Sequence, residues 1–341
     1  MRQKPVVEAW AIPTALLLLA SCAINPPPTE TAPPREPLPL PVADEGPPRQ
    51  LLRLRASFRD ALSDRAIPGA RLDVDGVTCA TDAEGFRTAY VPLAAQRALR
   101  ASGGNYLPLS WSGAIEDGAQ VVFRLTPSVV RMVAFGDSLT AGAKVSEPER
   151  FVYKIPRALR RSSSGVRVDV YPRGRSGDTY RGARDRLMED VLSVRPDVVL
   201  VAFGTNDVAA TPLRDFAGTV DAVLAPLSGR CRVMVADIPY KPRWAGQWNA
   251  QAAPFNRAIA EAAARHGATL VSWSARFKDA GDRGDWDLFY HQAPYDLRAP
   301  ESRAQGDLHP NGAGNDLMAS ACAEVLAGWL TPEASLSVGA P

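Results

Sequence analysis

The stretch VVRMVAFGDSLTAG, residues 129–142, decides the fold. An apolar run broken only by Arg131 leads directly into Gly136, Asp137 and Ser138, and a second glycine follows at 142. Near-continuous apolar runs suit strands buried on both faces, and polar loops at their carboxyl ends are where open parallel sheets hold ligands. The same texture returns in VRVDVY (166–171), DVVLVAF (197–203), RVMVADI (232–238) and ATLVSW (268–273). Helix-length segments lie at 151–161, 180–194, 214–227, 250–266 and 313–330. This alternation predicts a doubly wound α/β domain with a parallel five-stranded sheet over residues 129–331, followed by a tail at 332–341.

Upstream the character changes. Residues 50–128 carry short apolar or alternating runs separated by turn signals such as IPGA, DAEG and SGGN, the pattern of a small all-β sandwich. The phrase IPGARLDVDGVTCATDAEGFRTAYVP resembles the Ig-like or transthyretin-like accessory modules of secreted bacterial proteins. Residues 22–49 are proline-rich with few large apolar side chains and read as an extended spacer. Residues 1–21 pair Arg2 and Lys4 with an apolar run too short to span a bilayer. Leu19-Ala20-Ser21-Cys22 resembles the lipobox of bacterial lipoprotein precursors, which implies export and lipidation of Cys22; the other reading is an ordinary secretory signal. By the same resemblance Ala23 implies an outer-membrane location facing the periplasm.

The bulk properties exclude more than they select. A formal charge of +2 argues neither for a nucleic-acid binder nor for a trap for acidic ligands, and no nucleic-acid partner is expected. Lysine occurs only at positions 4, 144, 154, 241 and 278, a coding bias from which no partner follows. Four cysteines without a CxxC pair exclude the common zinc-finger spacings. Beyond Cys22, the residues Cys79, Cys231 and Cys322 are either separate core residues or the source of one disulfide.

The chemistry gathers at strand ends. After the first strand comes Gly136-Asp137-Ser138-Leu139, after the second Arg175-Ser176-Gly177-Asp178-Thr179, after the third Gly204-Thr205-Asn206-Asp207, and before the last helix His309-Pro310-Asn311. Singly, each reads as turn or cap chemistry. Together, and in this order, they resemble the SGNH (GDSL) hydrolase family over about 200 residues. The resemblance implies a flavodoxin-like sheet and ester hydrolysis without metal or other cofactor. It implies Ser138 as nucleophile and His309 as general base, with the N–H groups of Ser138 and Gly177 and the Asn206 amide as oxyanion hole. A side chain at Gly177 is expected to crowd the substrate carbonyl.

Two departures stand out. The second block reads Tyr171-Pro172-Arg173-Gly174 where the family places Asn before the first Gly, and Gly306 occupies the family's triad Asp position. The base is then oriented by Asp307 from an altered turn, by a backbone carbonyl, or by a carboxylate such as Asp287 or Asp296. The 274–304 insertion, with Trp286, Phe289, Tyr290 and Tyr295, reads as a lid or as a loop packed by its own aromatics. His291 within it is a minor candidate base; His266, ahead of a helix-ending Gly267, reads as a helix-terminus residue. The leading function is an envelope-anchored serine esterase acting on an acyl lipid or an O-acetylated glycan. The alternatives are a catalytically degenerate binding or scaffold lipoprotein, and an acyltransferase using the same acyl-serine.

Overall fold

The computed structural model describes residues 51–92, 96–160, 165–241, 246–290, 309–331 and 333–338. The signal, the spacer and Cys22 lie outside the described residues.

Seven strands open the described chain: β1 (Leu51–Asp60), β2 (Arg71–Val74), β3 (Val77–Ala80), β4 (Phe86–Pro92), β5 (Arg97–Ser102), β6 (Leu109–Gly113) and β7 (Ala119–Leu125). The alternation legible in β1 and β7 buries Leu52, Leu54, Ala56 and Phe58 against Val121, Phe123 and Leu125. One sheet contains β7, β1 and β4, and the other runs β3-β2-β5-β6; together they form the expected sandwich.

The second half is the expected α/β domain. The strands are β8 (Val129–Gly136), β9 (Arg167–Gly174), β10 (Val198–Ala202), β11 (Arg232–Ala236) and β12 (Thr269–Val271), all parallel, in the order β12-β11-β10-β8-β9. That is the flavodoxin-like order, with its switch point between β8 and β10. The helices are α1 (Ser138–Ala141), α2 (Phe151–Leu159), α3 (Tyr180–Asp190), α4 (Asp207–Ala210), α5 (Leu213–Leu224), α6 (Gly246–Arg265), α7 (Trp273–Asp282) and α8 (Gly312–Trp329). The runs are apolar because both faces of the sheet are covered. From β8, Met132 and Ala134 face the core shared with α2, α7 and α8, whereas Val133 and Phe135 face that shared with α3, α5 and α6.

Two expectations need correction. The segment read as a C-terminal tail contains strand β13 (Glu333–Val338), which pairs antiparallel with the edge of β7 and completes that sandwich sheet. Its alternation, Glu-Ala-Ser-Leu-Ser-Val, suits an edge strand. The first third of the 274–304 insertion is helix α7, whose Trp273, Phe277 and Ala280 fall on one helical face and are buried. Cys79, Cys231 and Cys322 are separate free thiols.

The sandwich is docked onto the α/β domain. Leu62, just after β1, is buried in the α2/α7/α8 core, and its carbonyl accepts from Arg232 Nε at 2.6 Å. Thr126 Oγ1 donates to the carbonyl of Leu330 at 3.0 Å.

Candidate active site

The turn after β8 is tight, and its residues explain why. A Cβ at Gly136 would lie 2.5 Å from the carbonyl oxygen of Ala202 and 2.0 Å from Thr140 Oγ1, so only glycine fits. Asp137 then caps α1, accepting from the Leu139 N–H at 2.9 Å. Gly142 ends the helix in the left-handed region, with φ at 72°. This four-residue turn sets Ser138 at the switch point, with its own N–H one of the orphan donors of a first helical turn. Asp137 is completely buried, and burial pushes its carboxyl up to about 7; Asp207 and Asp178 add to the rise and Lys241 opposes it.

The next two blocks are tied to this turn and to each other. A Cβ at Gly174 would meet the Ala141 backbone nitrogen at 2.1 Å, so α1 packs directly on the end of β9. Arg175 N–H donates to the Gly136 carbonyl at 3.0 Å, and Asp178 N–H closes a turn onto the carbonyl of Arg175. Gly177 sits at the exposed tip of that turn with φ at 80°. Within the protein an added Cβ would touch nothing within 4 Å, and the left-handed backbone gives an independent reason for Gly. Asn206 begins α4 without making a capping bond; its amide donates instead to the Asp178 carbonyl at 2.8 Å. Asp207 accepts from the Tyr180 N–H at 3.1 Å and from Thr211 Oγ1 at 2.8 Å. Asn206 and Asp207 therefore lock the third block onto the second.

One buried arginine organises the network. Arg186 of α3 donates to the carbonyls of Gly136 and Arg173, both at 3.0 Å. It pairs with Asp178 at 2.7 Å and Asp190 at 2.6 Å, and its guanidinium lies 4.3 Å from the Phe135 ring centroid.

His309 completes the constellation. Its Nε2 lies 3.0 Å from Ser138 Oγ, across 171 residues of sequence. The backbone of its loop is held as a short antiparallel bridge. Tyr290 N–H donates to the His309 carbonyl and Asn311 N–H to that of Leu288, both at 2.9 Å. Leu288 and Phe289 are buried beside Phe277, so this part of the aromatic segment is core that carries the histidine loop. Asn311 caps α8. Buried Asn315 donates to the carbonyls of Pro310 and Asn311 and accepts from the Phe151 N–H at 2.8 Å. Lys154, paired with Glu149 and Asp316, reaches the Gly312 carbonyl at 3.0 Å.

The expected Ser138 and His309 thus meet, and Gly177 and Asn206 are joined through Asp178. Asp307, Gly306, Asp296, Tyr295 and His291 lie outside the described residues. Asp287 is engaged by Asn311, whose amide donates to its carboxylate at 3.2 Å and its carbonyl at 2.9 Å. His266 follows α6, at the end of the sheet opposite Ser138, and contacts Asp221 of α5 at 2.9 Å rather than capping its own helix.

Lys241 carried no sequence signal. It lies beyond β11, almost wholly buried, 3.8 Å from the Trp248 ring centroid. Burial pulls its amine down to about 6, against the pull of Asp137. Two asparagines two helical turns apart on α6 fix its segment: Asn249 brackets the Lys241 backbone and Asn256 that of Ile238, each with one donor and one acceptor at 2.9–3.1 Å. Burial lowers the pKa of His309, and the charges of Lys144 and Lys241 lower it further.

The contact between Ser138 and His309 has the distance that transfer of a proton from a hydroxyl to an imidazole requires. The family model for the GDSL-like lipase/acylhydrolase family matches residues 134–317. No curated protein matches. Among solved structures, a lipase/acylhydrolase from Enterococcus faecalis is 22% identical, covering 60% of this chain and 98% of its own, with a TM-score of 0.47. An alpha/beta hydrolase from the metagenome of Lake Arreo, Spain, is 22% identical over 59% and 96%, with the same score. An acetylxylan esterase from Geobacillus stearothermophilus is 18% identical over 60% and 95%, also at 0.47. The chain belongs to the GDSL-like lipase/acylhydrolase family. It is an SGNH-type serine hydrolase acting on ester bonds.

Replacing Arg186 with Met leaves Asp178 buried and unpaired. The expected loss is about 3–5 kcal/mol, read by denaturant unfolding, and a loss below about 1 kcal/mol contradicts its linking role. The depressed basicity of His309 keeps the imidazole neutral, and so able to accept a proton, to lower pH than an ordinary histidine. The acid limb of kcat/KM is therefore expected below the ordinary value of 6.5 and should move up in Lys144→Gln. A limb above 6.5, or one unmoved by the substitution, contradicts the assigned causes.

Proposed function

We propose that the protein is an envelope-anchored serine esterase that cleaves an acyl lipid or an O-acetylated glycan through an acyl-serine. The observation that carries this reading is the 3.0 Å contact between Ser138 Oγ and His309 Nε2 at the switch point of the sheet. Ser138 Oγ attacks the ester carbonyl carbon while its proton passes to His309 Nε2. The negative charge on the tetrahedral intermediate is met by the N–H groups of Ser138 and Gly177 and by the Asn206 amide. As the carbonyl reforms, the C–O bond to the alcohol breaks and His309 returns the proton to the departing oxygen. Water, deprotonated by the same imidazole, then attacks the acyl-serine, releasing the acid and restoring Ser138.

Asp307 is assigned to hold the imidazole through its other nitrogen. Its place two residues before His309 in the same loop supports this. The lipobox-like segment ending at Cys22 and the proline-rich spacer behind it support a lipid anchor that holds the catalytic unit off the outer membrane, facing the periplasm.

Two measurements test the chemistry. Hydrolysis of a short p-nitrophenyl ester should fall by about 10⁶ in kcat in Ser138→Ala, as for nucleophile loss in serine hydrolases generally; undiminished turnover would refute the esterase reading. Neutralising the orienter by Asp307→Asn should cost about 10⁴-fold, and a change under about tenfold excludes Asp307 from that role.

A further inference from the structure

At the end of the sheet opposite Ser138, the docked sandwich and the α/β domain enclose a second cleft, of about 550 Å³. The sandwich contributes Asp60 and Arg65 from the turn that carries buried Leu62. The α/β domain contributes Arg131 of β8, Arg195 and Asp197 from the approach to β10, and Arg230 from the approach to β11. The cleft therefore exists only because the two units pack together.

Its charge is unbalanced. Both carboxylates are already committed: Asp60 accepts from the N–H groups of Leu62 and Ser63 and from the Tyr106 hydroxyl, and Asp197 takes the Arg131 N–H and guanidinium. The nearby Asp64 is taken by Arg59 and Arg124. Arg65, Arg195 and Arg230 have no acidic partner among the described residues. Arg195 is also held at φ 51° and ψ 60°, directly before Pro196, a left-handed conformation that glycine adopts far more easily. Strain kept at a non-glycine residue is a mark of a functional position.

We propose that this cleft binds a phosphate group. One guanidinium fork satisfies both oxygens of a carboxylate, whereas three forks around one cleft suit a dianion with three strong acceptor oxygens. The volume far exceeds the roughly 30 Å³ of a water molecule in the liquid, so the phosphate can carry a polyol or sugar. The accessory sandwich then has a role: it supplies one wall and one cation of an anion site remote from the nucleophile.

The test uses the full chain kept free of lipid by Cys22→Ser. Calorimetric titration with inorganic phosphate and with glycerol phosphate should give one site per chain. Sedimentation with vesicles containing phosphatidic acid, a lipid phosphomonoester, at low salt, tests a headgroup as the source. Arg195→Gln with Arg230→Gln should weaken whichever probe binds by at least about tenfold, since each removes a charged hydrogen-bond donor. Arg195→Gly separates binding from folding: it should weaken phosphate binding yet raise Tm by about 2 °C through relief of the left-handed backbone. Binding of the soluble phosphates that the double variant loses assigns a free phosphate ester; vesicle binding alone, lost in the same way, assigns a lipid headgroup. No binding of any probe, or binding that the double variant leaves unchanged, overturns the proposal.

Discussion

The catalytic end of this molecule depends on one buried cation. Where β8 and β9 part at their carboxyl ends, the terminal carbonyls of Gly136 and Arg173 are left in a region that water scarcely reaches. Arg186 donates to both, joining the Arg175 N–H at the Gly136 carbonyl, and the same guanidinium fixes Asp178. A buried backbone acceptor without a partner costs on the order of 1–3 kcal/mol, so a planar group with five fixed donors is a good solution to this corner. Lysine, a single rotatable ammonium, could not span the same four partners. Because Asp178 in turn receives the Asn206 amide, a residue on α3 decides how the second and third motif loops approach Ser138.

Electrostatics at the site follows from how much polar chemistry is buried there. Asp137, which caps the Ser138 turn, and Asp207 both have carboxyls raised chiefly by burial. Lys241 comes up against the same region as an amine pulled down by burial. Each group is driven toward its uncharged form, which keeps the floor of the site from accumulating charge. His309 is pulled in the same sense and stays neutral, the form a base must have. The loop that carries it is held by backbone pairing with residues 288–290 and by Asn315, so its position is set by core packing as well as by chain direction.

Much of this was legible in the sequence, for physical reasons. The five strands and the main helices announce themselves because a sheet covered on both faces needs unbroken apolar runs, and the four motifs fall where that topology puts its loops. What was hidden depends on partners far along the chain. Arg186 lies in YRGARDRLMED, a segment that looks like a solvated helix, and only the fold reveals that this arginine points inward. Asn249, Asn256 and Asn315 read as ordinary polar helix residues, since nothing local marks an amide that brackets another segment's backbone. Two features do carry a local signal: the helical spacing of Trp273, Phe277 and Ala280, and the alternation of Glu333–Val338. At Gly177 the left-handed backbone angle is a reason for glycine that no local sequence pattern shows.

The central claim is that Ser138 is made nucleophilic by His309 alone among the histidines. Its most direct measurement is covalent capture: the protein is treated with a fluorophosphonate and its peptides are mapped by mass spectrometry. The account predicts one adduct, on Ser138, formed at a rate that collapses in His309→Ala and is unchanged in His266→Ala. Labelling on another serine, or labelling of Ser138 at an undiminished rate without His309, would contradict it.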